Sequence, residues 1–154
     1  MINKDIVFTE RPSSIPFGYN LSYKSALICL SLKFNCEPRK SCSLIKIQLI
    51  LTTLILQGNL SNLIKLNTDK SFVFTPIRFD PSINKAITYV LKDGLIKKLA
   101  NGNFRLTELG KNFTKKMIDK KIFVRETNEI MKLGVLDDNT LNYIISMWRY
   151  DDKD

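Results

Sequence analysis

One short stretch of the chain, residues 81–110, constrains the fold more than any other. It follows Asp80-Pro81, an N-cap residue and a proline at the first helical position, which together are a strong helix start. An apolar stripe at helical spacing comes next and stops before Gly94. Two strand-forming runs then flank Asn101-Gly102, a dipeptide that accepts the positive φ of a tight turn. The pattern predicts a helix over 81–93, short strands over 95–99 and 104–107, and a further helix from Thr107.

The rest of the chain predicts a mainly helical domain. Apolar residues at helical spacing begin at Leu21, and the run 44–57 is apolar around nearly its whole circumference, which places that helix at the centre of the domain. Further helices are predicted over 61–66, over 123–133, and from Asp137 or Asp138 with Leu141, Ile144 and Ile145 on the core side. Prolines favour an extended arm over 1–20 and an edge strand or linker over 72–79. We therefore expect an α+β fold, mainly α with a small β-hairpin, forming a single domain over 21–154.

Basic side chains concentrate in the middle of the chain. Residues 85–125 carry eleven basic and three acidic side chains, a net charge of +8, whereas residues 126–154 have a net charge of −4. Clustered lysine and arginine favour contact with the phosphates of nucleic acid. A solvated, lysine-rich surface has the same composition. Charge alone leaves both interpretations open.

The residue types that catalysis usually needs are missing. The chain has no histidine, which is the commonest general base and transition-metal ligand. It also lacks the glycine-rich phosphate loop, the dinucleotide fingerprint and the nucleophile elbow. The nearest acidic pairs, Asp137-Asp138 and Asp151-Asp152, fall at a helix start and in the C-terminal tail. We therefore expect a protein that is not an enzyme and that binds no cofactor, metal or small-molecule substrate.

Cysteine usage and hydropathy bear on the compartment. Cys29, Cys36 and Cys42 lack the Cys-x-x-Cys spacing of zinc and redox sites. An odd number of cysteines without a signal peptide predicts free structural thiols in a reducing compartment. The most apolar run, 44–56, has thirteen residues, fewer than the roughly 20 that span a bilayer. The expected location is the cytoplasm, without a membrane partner.

The order of helix, strand, Asn-Gly turn, strand and helix forms the core of a winged helix. Leu91-Lys-Asp-Gly-Leu-Ile-Lys-Lys98, followed by Phe104-Arg-Leu-Thr-Glu-Leu-Gly110, resembles that superfamily. The fold would then be a winged helix-turn-helix with extra N- and C-terminal helices, the latter over 107–150. In DNA-binding members the helix before the wing enters the major groove. The residues expected to contact DNA or an acidic partner are Asn84, Lys85, Thr88, Tyr89 and Lys92 on that helix and Lys97, Lys98 and Arg105 on the wing.

Other features qualify this prediction. Five lysines after the wing are further candidates for contact with the DNA backbone: Lys111, Lys115, Lys116, Lys120 and Lys121. The helix before the wing has no arginine, the residue best suited to bidentate contact with guanine. Its absence disfavours specific base recognition.

A longer run resembles one family. Ile77-Arg-Phe-Asp-Pro-Ser-Ile-Asn-Lys-Ala-Ile87, the two wing segments, and Arg125-Glu126 with a final amphipathic helix are similar to the middle-component proteins of bacterial ABC three-component systems, which include Lamassu-type antiphage defence. The resemblance implies a non-catalytic winged-helix subunit that bridges a large SMC-like ABC ATPase and an effector, often a nuclease. It leaves two interpretations of Arg78 and Asp80: an internal clamp at the helix start, or a simple N-cap beside a surface arginine.

Two functions therefore remain open, an accessory subunit that binds DNA non-specifically at most, and a winged-helix transcription regulator. Aromatic and methionine side chains, which are enriched in interface cores, occur near both ends of the chain. They either form a partner surface or complete the domain's own core. The candidates for a protein interface are Phe17, Tyr19, Tyr143, Met147, Trp148 and Tyr150.

Overall fold

The computed structural model describes residues 20–36, 41–69 and 79–151, with side chains as far as Ser146. The predicted arm over 1–20, with Phe17 and Tyr19, lies outside the described residues except for Asn20, as does most of the predicted segment over 72–79. The elements are α1 (Leu21–Phe34), α2 (Leu44–Gln57), α3 (Ser61–Thr68), α4 (Pro81–Lys92), β1 (Ile96–Lys98), β2 (Phe104–Leu106), α5 (Glu108–Asp119), α6 (Val124–Leu133) and α7 (Asp138–Asp151). The prediction of a mainly helical fold with a small hairpin is confirmed.

Local capping explains where most of these helices start. The side chain of Asn20 accepts the backbone N–H groups of Ser22 and Tyr23, and that of Ser43 accepts the N–H of Lys46. Thr107 caps α5 in the same way by accepting the N–H of Gly110. Each cap satisfies an amide that has no partner inside its helix.

Helix α1 is the central element. Every residue from Tyr23 to Leu32 is buried, and the helix packs against α2, α4, α5, α6 and β2. The prediction that the apolar run 44–57 forms a buried helix is confirmed, since α2 is buried from Lys46 to Leu54. Two polar residues of α1, Lys24 and Ser25, are buried as well, and the hydroxyl of Ser25 donates to the carbonyl of Leu21.

The two strands of the described residues form one antiparallel hairpin. β1 and β2 pair antiparallel, with Ile96 opposite Leu106, Lys97 opposite Arg105, and Lys98 opposite Phe104. At the other edge of β2, Cys42 exchanges both backbone hydrogen bonds with Phe104, at 2.9 and 2.8 Å. This bridge ties the residues before α2 to the hairpin.

The cysteine prediction was wrong for two of the three residues. Cys36, just after α1, and Cys42, just before α2, form a disulfide, and their Cα atoms lie 5.4 Å apart. Cys29 is a free, buried thiol, and burial raises its pKa to about 12, although a hydrogen bond with Thr114 acts in the opposite direction.

Membrane insertion by a helix finds no support in the described ranges. None of the helices there is both long enough and apolar enough to cross a bilayer.

Candidate nucleic-acid interface

Helix α4 has one buried face and one exposed face. Ile83, Ala86, Ile87 and Val90 are buried, and the helix packs on α1. The opposite face exposes Asn84, Lys85, Thr88 and Lys92. The apolar stripe therefore fixes which side of α4 meets solvent, as an amphipathic helix requires.

The N-terminus of α4 is held by Gln48 of α2, whose side chain is fully buried. The Gln48 amide accepts the backbone N–H of Asp80 at 3.0 Å and donates to the carbonyl of Asp80 at 3.0 Å. The same amide nitrogen also donates to Oδ1 of Asn84 at 3.0 Å. One buried side chain thus connects α2 to both the cap and the first exposed turn of α4.

Lys24 of α1 holds the same end of α4 from the other side. Its side chain is buried, and its ammonium donates to Oγ of Ser82 at 2.6 Å. The Ser82 hydroxyl in turn donates to the Asp80 carboxylate at 2.7 Å, which also accepts the N–H of Ser82. The chain from ammonium to hydroxyl to carboxylate balances a buried positive charge, which would otherwise be costly.

These contacts set the charge state of Asp80. Burial opposes ionisation of its carboxyl group, but the hydrogen bonds from the Ser82 side chain and backbone, together with the nearby Lys24, outweigh burial and lower its pKa. Asp80 is therefore an N-cap within an internal polar cluster. The structural partner is Lys24, whereas Arg78 lies outside the described residues.

Replacing Asp80 by alanine is expected to lower the free energy of unfolding by about 2 kcal/mol at pH 7, because the cap is lost and Lys24 loses its carboxylate. Asp80→Asn, the matched control, keeps the capping oxygen and is expected to lose less. Since the folded-state pKa of Asp80 is lowered, its charge stabilises the fold fully above the ordinary value near 4 and loses this effect as the pH falls further. Urea unfolding between pH 7 and 2 measures the free energy of unfolding of each variant and its dependence on pH. If the free energies of wild type and Asp80→Asn differed by the same amount at every pH, the stabilising role of the Asp80 charge would be contradicted.

The hairpin is fixed to the helices at its base. The backbone N–H of Thr107 donates to the carbonyl of Leu95 at 3.0 Å, and the Thr107 hydroxyl also bonds there. Gly110 passes so close to this carbonyl that a Cβ atom on it would lie 1.9 Å from the Leu95 oxygen. At the tip, the Asn101 side chain accepts the N–H of Asn103, and Gly102 has a φ of 88°. The Asn-Gly turn prediction is confirmed.

Exposed residues of α4 and the hairpin include several cations. Lys97 and Arg105 lie directly opposite each other across the two strands. Like charges in this position destabilise a hairpin. Among the residues that the structure describes, neither these two nor Lys85, Lys92 and Lys98 form an ion pair. We call these five residues the α4–hairpin cations; Lys98 lies opposite the buried Phe104 and therefore on the other face of the hairpin from Lys97 and Arg105.

The predicted contact residues differ in how accessible they are. Lys85, Lys92, Lys97, Lys98, Asn84 and Thr88 are exposed, whereas Arg105 is half-buried. Tyr89 is also half-buried and packs against the core, so its ring is partly committed to the fold. The Thr88 hydroxyl donates to the backbone carbonyl of Asn84 at 3.1 Å.

The predicted protein interface is described only in part. Tyr143 is 42% exposed on α7, while Leu141 and Ile144 on the same helix are buried, as predicted. The side chains of Met147, Trp148 and Tyr150 lie outside the described residues.

Arg125 and Glu126, which are part of the family resemblance, connect α6 to α1 and α2 through hydrogen bonds. Tyr23 of α1 donates to the Glu126 carboxylate at 2.8 Å, and Arg125 bonds to the same carboxylate and to the carbonyl of Gly58 at the end of α2. Burial and the bond to Glu126 raise the pKa of Tyr23. The pair therefore positions α6 against α1 and α2.

Gln48 and Lys24 are the important residues that the sequence prediction missed. The signal for Gln48 was a glutamine inside a helix whose apolar residues surround nearly its whole circumference, because such a side chain must find partners when it is buried. Nothing in the local sequence indicates that those partners are Asp80 and Asn84.

Within the described ranges no group of three His, Cys, Asp or Glu side chains is placed to hold a metal ion. No protein-family model matches the chain, and no curated protein or solved structure is significantly similar to it.

Proposed function

We propose that this chain is a winged-helix protein that binds double-stranded DNA through α4 and the hairpin, mainly by contacts to phosphate. The observation that carries the proposal is the group of α4–hairpin cations, which are unpaired among the described residues and include Lys97 opposite Arg105. The fold bears the cost of this repulsion. Phosphate oxygens bound between Lys97 and Arg105 would relieve this repulsion, because DNA phosphates neutralise clustered cations on the proteins that bind them.

The arrangement of elements supports a winged-helix interpretation. A helix, a short paired segment at Cys42, further helices, then α4 and the β1–β2 hairpin follow one another along the chain. Gln48 connects α2 to the start of α4, with α3 between these two helices along the chain. In such proteins the second helix enters the major groove and the wing contacts the adjacent backbone.

Non-specific contact is favoured over base recognition. Helix α4 has no arginine. Tyr89 is partly buried and packs against the core, and the side-chain oxygen of Asn84 accepts a hydrogen bond from Gln48. Phosphate contacts position a protein on DNA without reading its sequence. A transcription regulator, the alternative function, requires the base contacts that this surface is poorly equipped to make.

The family resemblance supports a role within a larger assembly. We propose a non-catalytic, cytoplasmic accessory subunit that bridges an SMC-like ABC ATPase and an effector in bacterial antiphage defence. Affinity purification of the tagged protein from its native cell is expected to recover a large coiled-coil ATPase in near-stoichiometric amount. Recovery of the protein with only itself and DNA would support the regulator instead.

DNA binding is tested directly by fluorescence anisotropy with a labelled duplex of about 25 base pairs at 50 to 300 mM salt. If all five α4–hairpin cations contact phosphate, the logarithm of the association constant is expected to fall with the logarithm of the salt concentration with a slope of about −4.5. The affinity is expected to vary little between unrelated duplex sequences. No binding at 50 mM salt would contradict the proposal.

A further inference from the structure

We propose that Gln48 holds the side-chain oxygen of Asn84 towards the protein and leaves its amide nitrogen outward, so that the first exposed turn of α4 contacts acceptor atoms on DNA and cannot make the paired contact with adenine. This inference rests on the proposed DNA binding and adds to it the kind of group that α4 recognises. Gln48 acts as a positioning residue for this contact.

The orientation of the Gln48 amide is fixed by the backbone of Asp80. The Asp80 N–H can only donate, so it must face the Gln48 oxygen, and the Asp80 carbonyl can only accept, so it must face the Gln48 nitrogen. Both bonds are 3.0 Å long. Reversing the amide would break both of them inside a buried site, which fixes the nitrogen on the side of Asn84.

The orientation of Asn84 follows from that of Gln48. The Gln48 nitrogen donates to Asn84 Oδ1 at 3.0 Å, so the Asn84 oxygen is directed inward. Its amide nitrogen has no partner among the described residues, and Asn84 is exposed. The group available to DNA is therefore an N–H donor in the first turns of α4, the part of a recognition helix that contacts DNA.

A side chain that offers only its N–H group to DNA can distinguish fewer base pairs than one that also offers its oxygen. Adenine is read by asparagine through two bonds at once, one accepted by the side-chain oxygen and one donated by its nitrogen. With the oxygen held by Gln48, Asn84 can still donate to a phosphate oxygen or to the acceptors of guanine. Asn84 therefore contributes to affinity without adding a preference for A·T base pairs.

The test compares binding to two duplexes of equal length, one with only A·T and one with only G·C pairs. Wild type is expected to bind both with similar affinity. Gln48→Met removes the bond to Asn84, frees its oxygen, and is expected to raise the ratio of A·T to G·C affinity about fivefold or more. In Gln48→Met with Asn84→Ala, the ratio is expected to return to the wild-type value. The ratio is internal to each variant, so a general loss of stability does not change it.

Asn84→Ala alone keeps the test decisive if Gln48→Met does not fold. This variant is expected to weaken DNA binding several-fold. An equal loss of affinity for both duplexes identifies phosphate as the acceptor, and a greater loss for the G·C duplex identifies guanine. A loss confined to the A·T duplex, or no loss on either, would overturn the inference, as would a folded Gln48→Met with an unchanged ratio. If wild type binds neither duplex, it is the proposed function that fails.

Discussion

Reversing the charges of Lys85 and Lys92 is expected to lower the affinity for duplex DNA by about 100-fold at 0.1 M salt. Both side chains are exposed on α4, and neither is ion-paired within the described residues. Each contact to phosphate raises the logarithm of the association constant by about 0.9 when the salt concentration falls from 1 M to 0.1 M. The loss of two contacts is therefore expected to lower the association constant at 0.1 M salt by about 60-fold. Repulsion by the new carboxylates adds to this. The slope of the salt dependence is expected to become shallower by about two, as measured by anisotropy with Lys85→Glu/Lys92→Glu.

A charge-matched comparison is available on α5. Lys115 and Lys116, which the sequence also suggests as contacts to the DNA backbone, are exposed there, and Lys115→Glu/Lys116→Glu changes the net charge by the same amount. If DNA lies only on α4 and the hairpin, this variant is expected to weaken binding much less and to leave the slope nearly unchanged. Equal losses in the two variants would mean that net charge, or a DNA contact that extends to α5, governs binding. Both variants are expected to unfold at the wild-type temperature because exposed lysines contribute little to stability.

Replacing Gly110 by alanine is expected to cost more stability than replacing any other glycine in the described residues. The new Cβ would lie 1.9 Å from the oxygen and 2.9 Å from the carbon of the Leu95 carbonyl, both of them backbone atoms. Relief requires moving either α5 or the residue that connects α4 to β1, and the Leu95 carbonyl is held by Thr107. We expect a loss of about 3 kcal/mol, or about 6–12 °C in the unfolding midpoint, as measured by differential scanning calorimetry.

Asn112→Ala serves as the control for this prediction. Asn112 is exposed two residues further along α5, so its replacement is expected to change the free energy of unfolding by less than about 0.5 kcal/mol. Because the clash in Gly110→Ala displaces the base of the hairpin, that variant should also bind DNA more weakly when it is folded. A Gly110→Ala protein that unfolds at the same temperature as wild type would show that α5 does not approach Leu95 this closely.

The elements of the candidate site were predictable because their signals are local. Asp80-Pro81 starts α4, Asn101-Gly102 turns the hairpin, and Thr107 caps α5, each through bonds that span only a few residues. The apolar stripe of α4 likewise settles which lysines face solvent. Where the structure describes the predicted contact residues, only Tyr89 and Arg105 are less exposed than expected.

By itself, then, the sequence determined the helices, the hairpin and the basic face of this protein, because propensity, capping and periodicity act within a few residues along the chain. Only the tertiary structure decided what those elements meet. Gln48 reaches Asn84 across 36 residues, and Lys24 reaches Ser82 across 58. Such contacts depend on how helices pack around α1, and packing assigns partners to buried polar groups and close approaches to glycines such as Gly110. The structure also joins Cys36 to Cys42, a bond that their spacing did not predict.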